Sequence, residues 1–306
     1  MQTKLKLIRL NRLYIFFFTY VLLIIFFSTT FLQAKTFKVS NLEISQPFEL
    51  NFDKNKVIDK GFRAAFLNLI SMITTSTDQK TVKSTSLREI KGIVDSFTIS
   101  KEKFVDEIYT ANLDVVFNKK NTLDLLEKKN IFPSIPIQNK ILFIPIEIDL
   151  KNENITLFSD SYFFNKWNDK KEIYHLIEYI LPNEDLEELN LIQKNFKNIE
   201  NYDFLKIIKK YDLDDYIITI FFKKDKELRV LSKINYNNSL KLDNQIFLNT
   251  NIKDEKTYDI VLEKLKNLYE DNWKKNNQIN TSIKLPITIS INSKEYTKIQ
   301  NLENSL

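Results

Sequence analysis

The chain has no cysteine, only two glycines and a single histidine in 306 residues. Without cysteine there can be no disulfide and no thiolate metal centre, so stability must come from apolar cores. With glycine only at positions 61 and 92, neither GxGxxG nor GxxxxGK[ST] can be built, which removes the glycine-dependent phosphate loops. One histidine excludes HExxH and any site that needs several imidazoles. Basic excess is also scarce where it would matter. The net charge is +5, but residues 1–34 hold four basic and no acidic side chains, so the remainder carries 5 − 4 = +1. Its lysine pairs lie near acids, unlike the concentrated basic surface of a nucleic-acid binder. The sequence therefore predicts no nucleic-acid partner.

What is present begins at the amino end. Lys4, Lys6, Arg9 and Arg12 precede an apolar run, Leu13 to Phe27, which gives way to smaller and polar residues ending at Leu32-Gln33-Ala34. This is the layout of a secretory signal, with cleavage expected between Ala34 and Lys35. The same stretch approaches the length that spans a bilayer, so an uncleaved anchor is the alternative. The basic flank keeps its end in the cytoplasm either way. Both readings place residues 35–306 outside the cytoplasm: periplasmic, or anchored to the inner membrane through the amino-terminal segment alone and facing the periplasm. No later run reaches spanning length.

Periodicity divides the remainder. Residues 35–138 read as an extended segment, a helix with the stripe Ile58, Phe62, Ala65, Phe66, Leu69, Ile73, a hairpin near 95–118 and a further helix ending before Pro133 and Pro136. Residues 139–278 read as a strand at 140–150 with Pro145, Glu147 and Asp149 outward, helices at 172–181, after 183 and at 202–211, strands at 215–222 and 228–235, an extended piece at 244–248, and a long helix at 254–275. Pro145 suggests a sheet edge or a bulge. The expected class is α+β, as two small antiparallel-sheet-plus-helix domains in series. Residues 279–306 read as a strand–helix unit that either packs on the second domain or is a third domain cut short.

Candidate chemistry is sparse. His175 lies between Glu172 and Glu178 at helical spacing, which is too few ligands for zinc. Asp212, Asp214 and Asp215 lack the glycine and terminal glutamate of a calcium loop. Glu184 and Asp185 are accounted for by a helix start. No triad or selected carboxylate pair emerges. No metal or cofactor is expected, and the reading is non-enzymatic. Tyr162, Phe163, Phe164 and Trp167 form an aromatic segment, expected to contact an envelope protein partner.

Three stretches carry a resemblance: Lys54–Thr74 (KNKVIDKGFRAAFLNLISMIT), the helix–hairpin–helix of Ser86–Ser134, and Ile141–Leu150 (ILFIPIEIDL). In order and pattern the chain resembles an exported proteobacterial family, domain of unknown function two-thousand-sixty-six, with an AT-rich composition similar to marine alphaproteobacterial members. The resemblance implies export and carries no site residues. The function expected is therefore a periplasmic or envelope protein-interaction module. The alternative is a periplasmic small-molecule binder or carboxylate-based hydrolase.

Overall fold

A computed structural model of the protein describes residues 37–169, 175–248 and 255–279. The class is α+β. The expected cleavage site at Ala34 and Lys35, the strand–helix unit of 279–306 beyond Ile279, and Glu172 all lie outside the described residues.

The first sheet holds β1 (Phe37–Pro47), β2 (Val94–Val105) and β3 (Ile108–Phe117) in the order β1-β3-β2. In β3 every second residue is buried, from Tyr109 through Ala111, Leu113 and Val115 to Phe117, as a sheet with one covered face requires. The cover is α1 (Lys54–Ile73), whose amino end is capped by the Asp53 carboxylate, which accepts from the Asn55 N–H. Its buried stripe includes Phe62, Phe66 and Leu69. Gly61 sits at the tightest point: a β-carbon there would lie 2.5 Å from Leu113 Cδ2 and 3.3 Å from Ile44 Cγ2. Two short helices follow, α2 (Ser76–Val82) and α3 (Leu87–Ile93). The latter opens on a capping box between Ser86 and Glu89. Then α4 (Lys119–Glu127) leads out of the hairpin.

The second sheet is mixed, where the sequence suggested antiparallel. Strand β4 (Asn139–Asp149) pairs in parallel with β6 (Ile177–Ile180) and β7 (Tyr216–Lys224), and antiparallel with β5 (Asn154–Thr156). Strands β8 (Glu227–Tyr236) and β9 (Ser239–Leu248) extend it as antiparallel neighbours. The expected helix 172–181 is thus a strand at Ile177–Ile180. Ile177 and Tyr179 are buried there and Glu178 is not, a period of two that three turns of helix would have scrambled.

Strand β4 is interior and buried on both faces from Ile141 to Ile148. Pro145 sits at a local edge and not in a bulge: β7 pairs without a register shift along one flank of β4, while the other flank is open at this position. β6 flanks only Asn139–Leu142 and β5 only Glu147–Asp149. Pro145 falls in the gap between them, where an N–H would have had no strand acceptor on that flank.

One face of this sheet is covered by α5 (Tyr162–Lys166) and the long α8 (Glu255–Asn276), which bring Phe163, Trp167, Val261, Leu265 and Tyr269 onto Phe143, Phe221 and Val230. The other is covered by α6 (Leu186–Lys194) and α7 (Leu205–Ile208), with Ile192, Phe204 and Ile207 against Ile144, Ile146 and Ile220. The end of α8 also meets the end of α1. The Ser76 N–H and hydroxyl donate to the Asp271 carboxylate at 2.8 and 2.6 Å, and Lys274 Nζ donates to Ser71 O at 2.6 Å. Ser134 and Gln278 form an antiparallel bridge beside this seam. Among the described residues no helix is long and apolar enough to cross a membrane.

Candidate functional site

The feature with an unmet physical demand is β9. The loop that makes it is Asn237-Asn238, with φ of 51° and 60°. Two left-handed residues are what a two-residue hairpin turn needs to match strand twist, and asparagine tolerates that region best after glycine. The ladder then runs without a register shift from Tyr236↔Ser239 to Glu227↔Leu248. Among the described residues β9 is the last strand of its sheet.

Its two faces differ. Phe247 packs against the core under α8, and Lys241 Nζ donates to the Asn272 side-chain oxygen at 2.5 Å. The opposite face carries Leu240, Leu242, Ile246 and Leu248, which are 58, 63, 57 and 69% exposed. Arg229 and Lys233 on β8 lie beside Ile246 and Leu242, but each turns away: Arg229 pairs with Glu200 and covers the Phe222 ring at 4.0 Å, and Lys233 lies over Phe204. The outer backbone edge of the same strand has no partner strand among the described residues. The turn closes with a bond between Tyr236 and Ser239, and bonding alternates along an antiparallel pair. Odd residues of β9 therefore face β8, and the N–H and C=O of the even residues 240 to 248 point outward. Edges are normally shielded by charge, proline or a bulge; this one presents four aliphatic side chains and a regular row of donors and acceptors.

The aromatic segment expected to meet a partner is placed otherwise. Phe163 and Trp167 have no exposed surface. Phe163 stacks on Phe221 at 3.7 Å and Trp167 on Phe143 at 3.8 Å. Phe164 packs on the far core, and the Tyr162 hydroxyl donates to Asp259 at 3.1 Å; burial and then that carboxylate push the Tyr162 hydroxyl up to about 12. Phe163 and Trp167 are one helical turn apart, and that i, i+4 spacing is the core signal. The four residues fasten α5 to the sheet, which removes Phe163 and Trp167 from any contact surface. The sequence signal for β9 is the period-two run Leu240, Leu242, Ile246, Leu248, of which the expected extended piece, 244–248, covers only the second half.

The polar candidates converge in part. His175, Glu178, Asp212, Asp214 and Asp215 line an open cavity of about 630 Å³ at the amino ends of β4, β6 and β7. Asp215 is already engaged: it accepts from the Asn139 amide at 2.5 Å and the Asn237 N–H at 2.7 Å. Asp185 caps α6, as expected for a helix start. His175 also lines a smaller groove of about 360 Å³ with Tyr162 and Lys166. Burial, with Lys266 and Lys274 adding to it, pulls the imidazole down to about 4. Among the described residues no group of histidine, cysteine and acids is arranged to hold a metal ion.

Two buried carboxylates serve structure. Glu147, expected to point outward, is 2% exposed; it accepts from the Ser161 hydroxyl at 2.5 Å and the Phe163 N–H at 3.2 Å, and pairs with Lys223. Glu270 on α8 accepts from the Leu176 and Ile177 N–H groups at 3.2 and 3.0 Å, tying the helix to β6; burial raises its pKa.

No protein-family model matches the chain, and no curated protein matches it. Among solved structures the chain is similar to an uncharacterized protein known from a crystal structure, at 9% identity and a TM-score of 0.18, over 47% of this chain and 95% of that one. A likeness of that size carries no argument about function.

Proposed function

We propose that the chain is an exported cell-envelope protein, periplasmic or tethered by its amino-terminal segment, that works as a non-enzymatic interaction module through the open edge of β9. The observation that carries the reading is the exposed stripe Leu240, Leu242, Ile246 and Leu248 on a strand whose outer edge has no partner strand among the described residues. Such an edge accepts an added strand: main-chain bonds supply affinity, and alternate side chains supply selectivity. The matching partner is an extended protein segment with apolar residues at every second position. The acids best shielded from water, Glu147 and Glu270, are occupied in holding elements together, which weighs against carboxylate hydrolysis. Export rests on the basic-then-apolar order of residues 4–34.

The test is affinity capture of the tagged full-length chain from its own envelope, beside a Leu242→Lys, Ile246→Lys variant, with the mass of the captured chain measured. A partner held by the unaltered chain and released by the variant supports the reading. Equal capture by both overturns the assignment to β9. A chain recovered from the cytoplasm overturns export.

A further inference from the structure

The sequence of β9 is self-complementary about Asn244. Reading outward from it, Leu242 and Ile246 lie two residues away on either side, and Leu240 and Leu248 lie four away. We infer that β9 pairs with β9 of a second copy of this chain, antiparallel about a two-fold axis at Asn244, joining the two mixed sheets into one. The inference rests on the reading of β9 as the docking element and names its occupant.

The argument is one of register. Only the even residues of β9 offer outward N–H and C=O groups, so only they can form the bonded pairs of a new antiparallel ladder. With the axis at Asn244, Leu240 meets Leu248 of the second copy, Leu242 meets Ile246, and the two Asn244 residues meet each other. All are even positions, so the backbone and side-chain patterns agree. On the opposite face Lys241 meets Phe247 and Asp243 meets Gln245, so no charge faces its like. Neighbouring registers are worse. An axis at Asp243 sets two carboxylates opposite one another. An axis at Gln245 sets Asn244 against Ile246, and axes at Leu242 or Ile246 set it against Leu240 or Leu248. A closed two-fold contact also covers both β9 edges at once, so the pairing does not propagate through β9.

The absence of native cysteine makes the register directly measurable. Single Asn244→Cys, Leu242→Cys and Ile246→Cys substitutions are made in the full-length chain, and the envelope is oxidised mildly. Residues directly opposite in an antiparallel pair fall within the Cα separation that a disulfide spans, whereas positions four residues out of register do not. The expected result is a cross-linked dimer from Asn244→Cys alone, weak self-cross-linking from either other variant, and a strong mixed dimer when Leu242→Cys and Ile246→Cys chains are co-expressed. The dimer should be lost when Asn244→Cys is combined with Leu240→Lys and Leu248→Lys, exposed positions at which the altered chain should still unfold in one cooperative transition. No cross-link at Asn244→Cys, or equal cross-linking at all three positions, overturns the inference. If that occurs while the Leu242→Lys, Ile246→Lys variant still releases an envelope partner, the docking role of β9 survives with a different occupant. If the dimer forms and the same variant keeps its partner, self-pairing stands and partner capture belongs elsewhere.

Discussion

Glu147 on the central strand β4 is in ionic contact with Lys223 on the neighbouring β7, inside a sheet covered on both faces. Burial alone would weaken the ammonium charge, but the Glu147 charge and hydrogen bond outweigh it and hold the Lys223 pKa above its ordinary value. Removing one partner leaves the other charge uncompensated. Glu147→Ala is expected to cost about 3–5 kcal/mol in urea unfolding, and the double change Glu147→Leu, Lys223→Met to recover much of it. A single-variant loss below about 1 kcal/mol would mean that water reaches the pair.

The two glycines should respond in opposite directions to the same change. At Gly61 a β-carbon meets Leu113 at 2.5 Å, so Gly61→Ala overpacks the α1–sheet contact and is expected to cost about 1–3 kcal/mol. At Gly92, in α3, nothing lies within 4 Å, and Gly92→Ala should gain up to about 1 kcal/mol from reduced backbone freedom in the unfolded chain. Thermal unfolding of the pair checks both, and equal shifts would contradict the packing at Gly61.

His175 predicts an acid limb in stability. Its pKa is depressed from 6.5 to about 4 in the folded state, so between those values the unfolded chain binds the proton more readily than the folded one. The stabilisation from the neutral ring is complete above about pH 6.5 and is lost as the pH falls toward about 4. The ring is partly exposed, so the discounted size is on the order of 1–2 kcal/mol. Comparing His175→Gln with the unaltered chain at pH 7 and pH 4.5 isolates this group from the carboxylates. The variant should lose less stability on acidification, and parallel curves would refute the assignment.

The Asn237-Asn238 turn sets the register of the edge strand. Asn238→Gly should be neutral or stabilising, because φ of 60° suits glycine, while Asn238→Val should cost about 1–2 kcal/mol. The valine variant should also weaken Asn244→Cys cross-linking, since a slipped hairpin turns the apolar stripe to the other face. Unfolding curves and the cross-linked fraction read the two effects separately.

Much of the local structure was legible along the chain. The stripe Phe62, Phe66, Leu69, Ile73 specifies α1, the alternation Leu113, Val115, Phe117 specifies β3, and Asp53 and Asp185 stand at helix starts as caps. Each signal depends on neighbours within a few residues, where periodicity and capping act. The basic-then-apolar opening is equally local, and it is the basis for proposing export.

What a strand lies beside was not legible. Glu147 alternates with isoleucines as an outward residue would, yet it is buried, because β4 is covered on both faces and Lys223 arrives from 76 positions away in the chain to meet it. Pro145 marks an edge that is only local: β6 and β5 flank β4 before and after it and leave a gap at its position. Residues 177–180 looked helical until parallel pairing with β4 claimed their backbone bonds. Phe163 and Trp167 had the composition of a contact surface and became core, whereas Leu240, Leu242, Ile246 and Leu248 had the composition of core and became surface. Composition and period decide which side chains share a face. Only the order of strands, set by pairings between distant segments, decides whether that face is covered or open.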